Sequence, residues 1–140
     1  MFLETDKEMD STLERIFSIY STTSPTFDNI SISKTISNTL SVAVRKNNVL
    51  NTYAPSFTGT IRKLAIAYST ASNGLVMYVN GTQLFIDTDS GNFSTTLSEV
   101  YVGSLRPSIS TSDLYNGGFA QVLLFKTRLT NAQLSELTSL

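Results

Sequence analysis

The sequence has no cysteine, no histidine and no tryptophan, and only three prolines in 140 residues. Without cysteine there are no disulfides, unlike the small secreted animal domains that depend on them. The fold must rest on its apolar core, which a chain of this length can supply. Without histidine the commonest general base and metal ligand is missing. The two absences together exclude zinc sites and Ser-His or Cys-His nucleophiles. Any metal would be an oxygen-liganded ion such as calcium. Charge is sparse at 15% of residues, with a net of −1. There is no basic excess to draw nucleic acid and no acidic tail. No apolar run approaches the length of a membrane span. The first residues carry Glu4, Asp6 and Glu8, unlike a signal peptide. Neither nucleic acid nor membrane insertion is expected.

Serine, threonine and asparagine are abundant, a composition that favours strands and turns over helices. Short alternating apolar runs follow one another along the chain without a linker or a repeat, as expected of one domain over residues 1–140. The runs are Phe2–Glu4, Arg15–Tyr20, Asn29–Ser33, Thr39–Arg45, Val49–Tyr53, Arg62–Ser69, Gly74–Val79, Thr82–Asp87, Glu99–Gly103 and Phe119–Lys126. Asn80-Gly81 between two of them is a strong hairpin signal, since a type I′ turn needs positive φ at both central residues. Asn47-Asn48 separates two more in the same way. Many short strands at fairly regular spacing predict an antiparallel sandwich or jelly roll. One segment differs. Thr130-Asn-Ala-Gln133 is a capping box, and Leu134, Leu137 and Leu140 continue it as a short apolar stripe, predicting one or two helical turns at the C-terminus.

From Ile61 to Leu137 the chain resembles the concanavalin A-like lectin/glucanase superfamily, in its laminin-G-like branch. The pieces, in order, are Lys63-Leu-Ala-Ile-Ala-Tyr68, Leu75-Val-Met-Tyr-Val-Asn-Gly81, Val100-Tyr-Val-Gly-Ser104, Asn116-Gly-Gly-Phe-Ala-Gln-Val122 and Leu129-Thr-Asn-Ala-Gln-Leu-Ser-Glu-Leu137. The resemblance implies an all-β fold: a two-sheet antiparallel jelly-roll sandwich with a short C-terminal helix. It also implies that Met1-Phe-Leu-Glu4 is a shortened opening strand and that the domain belongs to a longer chain. Disulfide-free versions rich in Ser, Thr and Asn look like those of bacteriophage tail fibres and other virion proteins. The location implied is the virion or the extracellular space.

Retaining glucanases of this superfamily carry an alternating acidic triplet whose two catalytic carboxylates lie about 5 Å apart. Glu4-Thr-Asp6-Lys-Glu8 has that spacing. Here, however, the intervening positions are Thr5 and Lys7 rather than apolar, and lysine is almost never buried unpaired. A solvated strand end is the favoured reading, so no enzyme is expected. Laminin-G-like domains often hold calcium through Asp and Asn side chains and backbone carbonyls, which makes Asp87, Asp89 and Asn92, with Asp113 and Asn116, the candidate ligands. Asp89-Ser-Gly-Asn92 also reads simply as a turn. Sugar recognition needs an aromatic platform and a few placed polar groups. Tyr53, Phe57, Phe93 and Tyr115 fall near loops, whereas Tyr68, Tyr78 and Tyr101 fall within strand patterns and read as packing. Tyr115, Asn116 and Asp113, with Asn80 and Asp87 at the neighbouring hairpin, form the expected ligand contact.

The function implied is a non-catalytic carbohydrate- or host-surface-binding module of a virion or tail-fibre protein. The alternative is a purely structural decoration or oligomerisation domain. The partners implied are a glycan or host cell-surface receptor, other virion subunits, and further copies of the chain through the parent protein.

Overall fold

The computed structural model describes residues 1–5, 14–22, 28–35, 39–57, 59–69, 74–87, 92–104, 115 and 117–139. In chain order its elements are β1 (Phe2–Thr5), β2 (Glu14–Ser21), β3 (Asn29–Lys34), β4 (Leu40–Lys46), β5 (Val49–Tyr53), β6 (Lys63–Ala67), β7 (Val76–Val79), β8 (Thr82–Ile86), β9 (Leu97–Val102), β10 (Phe119–Leu123) and α1 (Asn131–Thr138). Each expected run is a strand, with ends that differ by at most two residues except at β10, which ends three residues earlier than expected. The strands form two antiparallel five-stranded sheets, ordered β10-β1-β6-β7-β8 and β5-β4-β3-β2-β9. The chain is therefore mostly β with one short C-terminal helix. Among the described residues no helix is long and apolar enough to cross a membrane.

Contacts divide the chain into two compact units. The first comprises Met1–Met9, Gly59–Gly91 and Gly117–Leu140; the second comprises Asp10–Thr58 and Asn92–Asn116. The first unit holds the β10-β1-β6-β7-β8 sheet and the helix. Its opening strand, β1, lies between β10 and β6, with Phe2 and Leu3 buried. On one face Ala65 opposes both Phe2 and Tyr78, and Ala67 opposes Val76. The small alanine side chains leave room for the helix. Leu134 packs there among Phe2, Ala65, Ala67, Val76 and Tyr78, bordered by Ile86, Leu123, Leu129 and Leu137.

The helix starts where the sequence places it. The Thr130 hydroxyl accepts from the Gln133 amide at 3.2 Å, and the Gln133 side chain accepts from the Thr130 amide at 2.9 Å. Of the predicted stripe, Leu134 is buried and Leu137 half-buried, while Leu140 lies outside the described residues. At the far end α1 grips the β7–β8 hairpin. Its tip, Asn80-Gly81, takes positive φ at both residues (47° and 81°), as a type I′ turn requires.

The second unit holds the β5-β4-β3-β2-β9 sheet. β4 alternates strictly, with Leu40, Val42 and Val44 buried and Ser41, Ala43 and Arg45 half-buried. Asn47 and Asn48 (φ 50° and 65°) turn it into β5. β3 is buried along its whole length, so both of its faces are covered. At one end of the β2–β3 pair Glu14 lies directly opposite Lys34, and both are buried.

Candidate functional site

The predicted ligand residues do not share one setting. Asn80 is occupied as a brace: its side-chain oxygen accepts from the amides of Arg62 (3.1 Å) and Lys63 (3.0 Å), and its NH₂ donates to the Thr60 carbonyl at 2.6 Å. Both ends of the carboxamide thus hold the approach to β6. Asp87 is buried, and its amide donates to the Leu75 carbonyl, closing the end of the β7–β8 pair. Tyr115 is also buried, at 8% exposure, with its amide on the Gly103 carbonyl. Asn92 is exposed. Asp89, Asp113 and Asn116 lie outside the described residues, as do Asp6 and Glu8 of the acidic triplet. Among the described residues no three acidic side chains converge in a way that would hold a metal.

Of the aromatics read as packing, Tyr78 and Tyr101 do pack. The Tyr78 hydroxyl donates to Gln83 at 3.0 Å. Tyr101 meets Tyr20 edge-on, with centroids 6.2 Å apart, and donates to Glu99. Phe93, one of the loop candidates, lies beneath the Lys46 ammonium, 6.0 Å from its ring centre.

A polar hub in the second unit went unread in the sequence. Asp28 is fully buried. One carboxylate oxygen accepts from the Asn47 amide (2.8 Å), and the other accepts from the Ser94 hydroxyl (2.7 Å) and from the amide and hydroxyl of Thr95 (3.0 and 3.3 Å). Burial pushes this carboxyl up, but the donors from Ser94, Thr95 and Asn47 outweigh it and hold the group below its ordinary 3.8. With its acceptor sites filled by the protein, Asp28 is an internal tie between the β4–β5 turn and the 94–95 segment.

An open surface groove lies in the first unit. Phe125, Leu129, Gln133, Glu136 and Leu137 line it, and it measures about 320 Å³ between the end of β10 and α1. Gln133, Glu136 and Leu137 fall at i, i+3 and i+4, so the helix presents them on one side. Phe125 is 42% exposed, leaving its ring accessible. The capping box fixes the Gln133 carboxamide, whose oxygen also takes the Thr130 hydroxyl at 3.1 Å. Its NH₂ is the end of the carboxamide that the cap does not use. Glu136 supplies acceptor oxygens beside it. The groove combines an accessible aromatic face, two leucines, one donor and one acceptor.

Sequence reading missed Phe125 because it was counted into the strand run Phe119–Lys126. A signal was present: Leu123-Leu124-Phe125 is apolar at three successive positions, and a strand cannot bury three in a row on one face. None of the family models, curated proteins or solved structures compared with the chain matches it.

Proposed function

We propose that the chain is a non-catalytic carbohydrate- or host-surface-binding module of the laminin-G-like jelly-roll type, carried on a virion or tail-fibre protein. The observation that carries the ligand-binding reading is the Phe125 groove. A sugar offers an apolar C–H face and a rim of hydroxyls that both donate and accept. Phe125 suits the face, and the Gln133 NH₂ and Glu136 carboxylate suit the rim. The volume lies at the small end of ligand pockets, which fits one or two sugar rings rather than a long oligosaccharide. Single-site affinity is then weak, and repetition of the module on a fibre supplies avidity.

The jelly-roll reading is supported by the order in which the chain visits the sheets. It places β1 in one, β2 to β5 in the other, β6 to β8 in the first, β9 in the second and β10 in the first. The fold alone does not fix a function, so the binding claim rests on the groove. The test is a glycan array probed with a multivalent display of the domain, with and without calcium. A specific hit lost on Phe125→Ala supports the reading. A hit that needs calcium and survives Phe125→Ala moves recognition to the Asp/Asn loops. A clean negative from folded protein favours the purely structural alternative.

A further inference from the structure

Asn80-Gly81 is a reactive pair as well as a turn. An asparagine followed by glycine can cyclise on itself, because glycine has no side chain to hinder approach to its backbone nitrogen. The Gly81 nitrogen gives up its proton to solvent and attacks the side-chain carbonyl carbon, Cγ, of Asn80. A new C–N bond forms and the bond to the side-chain NH₂ breaks. That nitrogen takes a proton from water and leaves as ammonia. Water then opens the resulting succinimide ring at one of its two carbonyls. The product is aspartate, or isoaspartate with the main chain rerouted through the side chain. Water is the only co-reactant, and nothing is oxidised or reduced.

In the folded chain both reacting groups are held. The Asn80 carbonyl oxygen accepts from the amides of Arg62 (3.1 Å) and Lys63 (3.0 Å), and its NH₂ donates to the Thr60 carbonyl at 2.6 Å. Two amide donors on that oxygen would by themselves help an attack, since they stabilise the negative charge that develops there. The block therefore lies at the nucleophile. The Gly81 N–H donates to the Thr138 hydroxyl at 3.1 Å, and the Gly81 carbonyl accepts from the Ser135 hydroxyl at 2.8 Å. α1 thus pins Gly81 at its amide and at its carbonyl. It also covers the residue: a Cβ added at Gly81 would lie 3.3 Å from the Ser139 hydroxyl oxygen and 3.6 Å from Ser139 Cα. Lys63 Nζ donates to the Ser139 carbonyl at 2.9 Å, which ties this end of the helix back to β6 beside the Asn80 brace.

We propose that Asn80-Gly81 is a helix-gated modification site: docking of α1 keeps it inert, and undocking starts its conversion to aspartate and isoaspartate. The conversion runs one way. Aspartate sets a carboxylate oxygen, which only accepts, where the NH₂ donated to the Thr60 carbonyl. Isoaspartate adds a backbone atom to a two-residue turn and carries the Gly81 amide out of line with Thr138. Either product weakens the seat of α1, so a chain that has let its helix go does not regain the original dock. The inference concerns the hairpin and the helix alone and needs no sugar in the groove.

The test incubates the full chain in mildly alkaline buffer and follows ammonia loss at Asn80 by mass spectrometry, with fragmentation to place the site. The proteins are wild type, Thr138→Ser, Thr138→Val and Val42→Ala. A peptide of residues 76–85 gives the ungated rate, because an isolated hairpin is marginally stable at best. Wild type and Thr138→Ser should convert far more slowly than the peptide. Thr138→Val should convert about tenfold faster than wild type, the equivalent of one lost hydrogen bond. Val42→Ala weakens the core of the second unit and should convert like wild type, which separates loss of the gate from general loss of stability. A wild-type rate equal to the peptide's, an unchanged rate in Thr138→Val, or an equal acceleration in Val42→Ala overturns the proposal. The product's effect is read in Asn80→Asp by hydrogen exchange. Faster exchange at Gly81 and along α1 is expected, and exchange as slow as in wild type contradicts the one-way step.

Discussion

The Thr138 hydroxyl accepts a hydrogen bond from the Gly81 amide at 3.1 Å and donates its own proton to the Leu134 carbonyl at 2.8 Å. One buried side chain thus joins the end of the helix to the tip of the β7–β8 hairpin. Ser135 closes the same contact from the other side, donating to the Gly81 carbonyl at 2.8 Å. Thr138→Val keeps the shape and removes the hydroxyl, leaving the Gly81 amide without that partner. The expected cost is about 1–3 kcal/mol in urea unfolding, and Thr138→Ser should recover most of it.

Gly81 itself is required twice over. Its φ of +81° is unfavourable for a residue with a side chain, and an added Cβ would sit 3.3 Å from the Ser139 hydroxyl oxygen. Gly81→Ala is expected to cost roughly 1–2 kcal/mol from the left-handed backbone alone. The same unfolding measurement reads it. A neutral result would mean that the hairpin tip shifts freely away from the helix.

Asp28 sets an acid limb on stability. Its folded carboxyl is held below the ordinary value. Its contribution is therefore complete above the unfolded carboxylate value and is lost as pH falls through the folded one. Asp28→Asn removes that dependence and leaves an NH₂ among donors from Asn47, Ser94 and Thr95. The variant should be destabilised at neutral pH by roughly 2–4 kcal/mol, and its stability should change less than that of wild type below about pH 4. Thermal melts across pH check both statements, and parallel wild-type and variant curves would contradict the second.

Glu14 and Lys34 face each other across β2 and β3 in a buried setting. A single change that strands one charge should cost about 3–5 kcal/mol, whereas an uncharged pair of similar volume can be nearly neutral. Lys34→Met should therefore be severe, and Glu14→Gln with Lys34→Met much milder than the sum of the two singles. A double-mutant cycle gives the coupling, and additive costs would show that the two side chains do not act as a pair.

The features legible in the sequence are those set by local chemistry. The strands could be read because β4 and its neighbours alternate with period two. Both type I′ turns could be read because Asn47-Asn48 and Asn80-Gly81 tolerate positive φ. The helix could be placed because Thr130 and Gln133 cap each other over three residues. What escaped was long-range. Asp28 looks like any turn residue until Ser94 and Thr95, more than sixty positions away, supply its donors. Asn80 carried a hairpin signal and a ligand reading at once, and its carboxamide is spent on Thr60, Arg62 and Lys63. Tyr115 looked like a loop aromatic, yet it is buried. Phe125 looked like a core strand residue, yet it is half-exposed at a groove completed by a helix that the strand pattern does not reveal.

The most direct test of the binding account is a titration of the folded domain with its strongest array glycan, followed by amide chemical shifts in wild type and Phe125→Ala. The account predicts shifts concentrated on residues 125 to 137 in wild type and their loss in the variant, with the fold unchanged. Shifts centred elsewhere, or an undiminished response in Phe125→Ala, would contradict it.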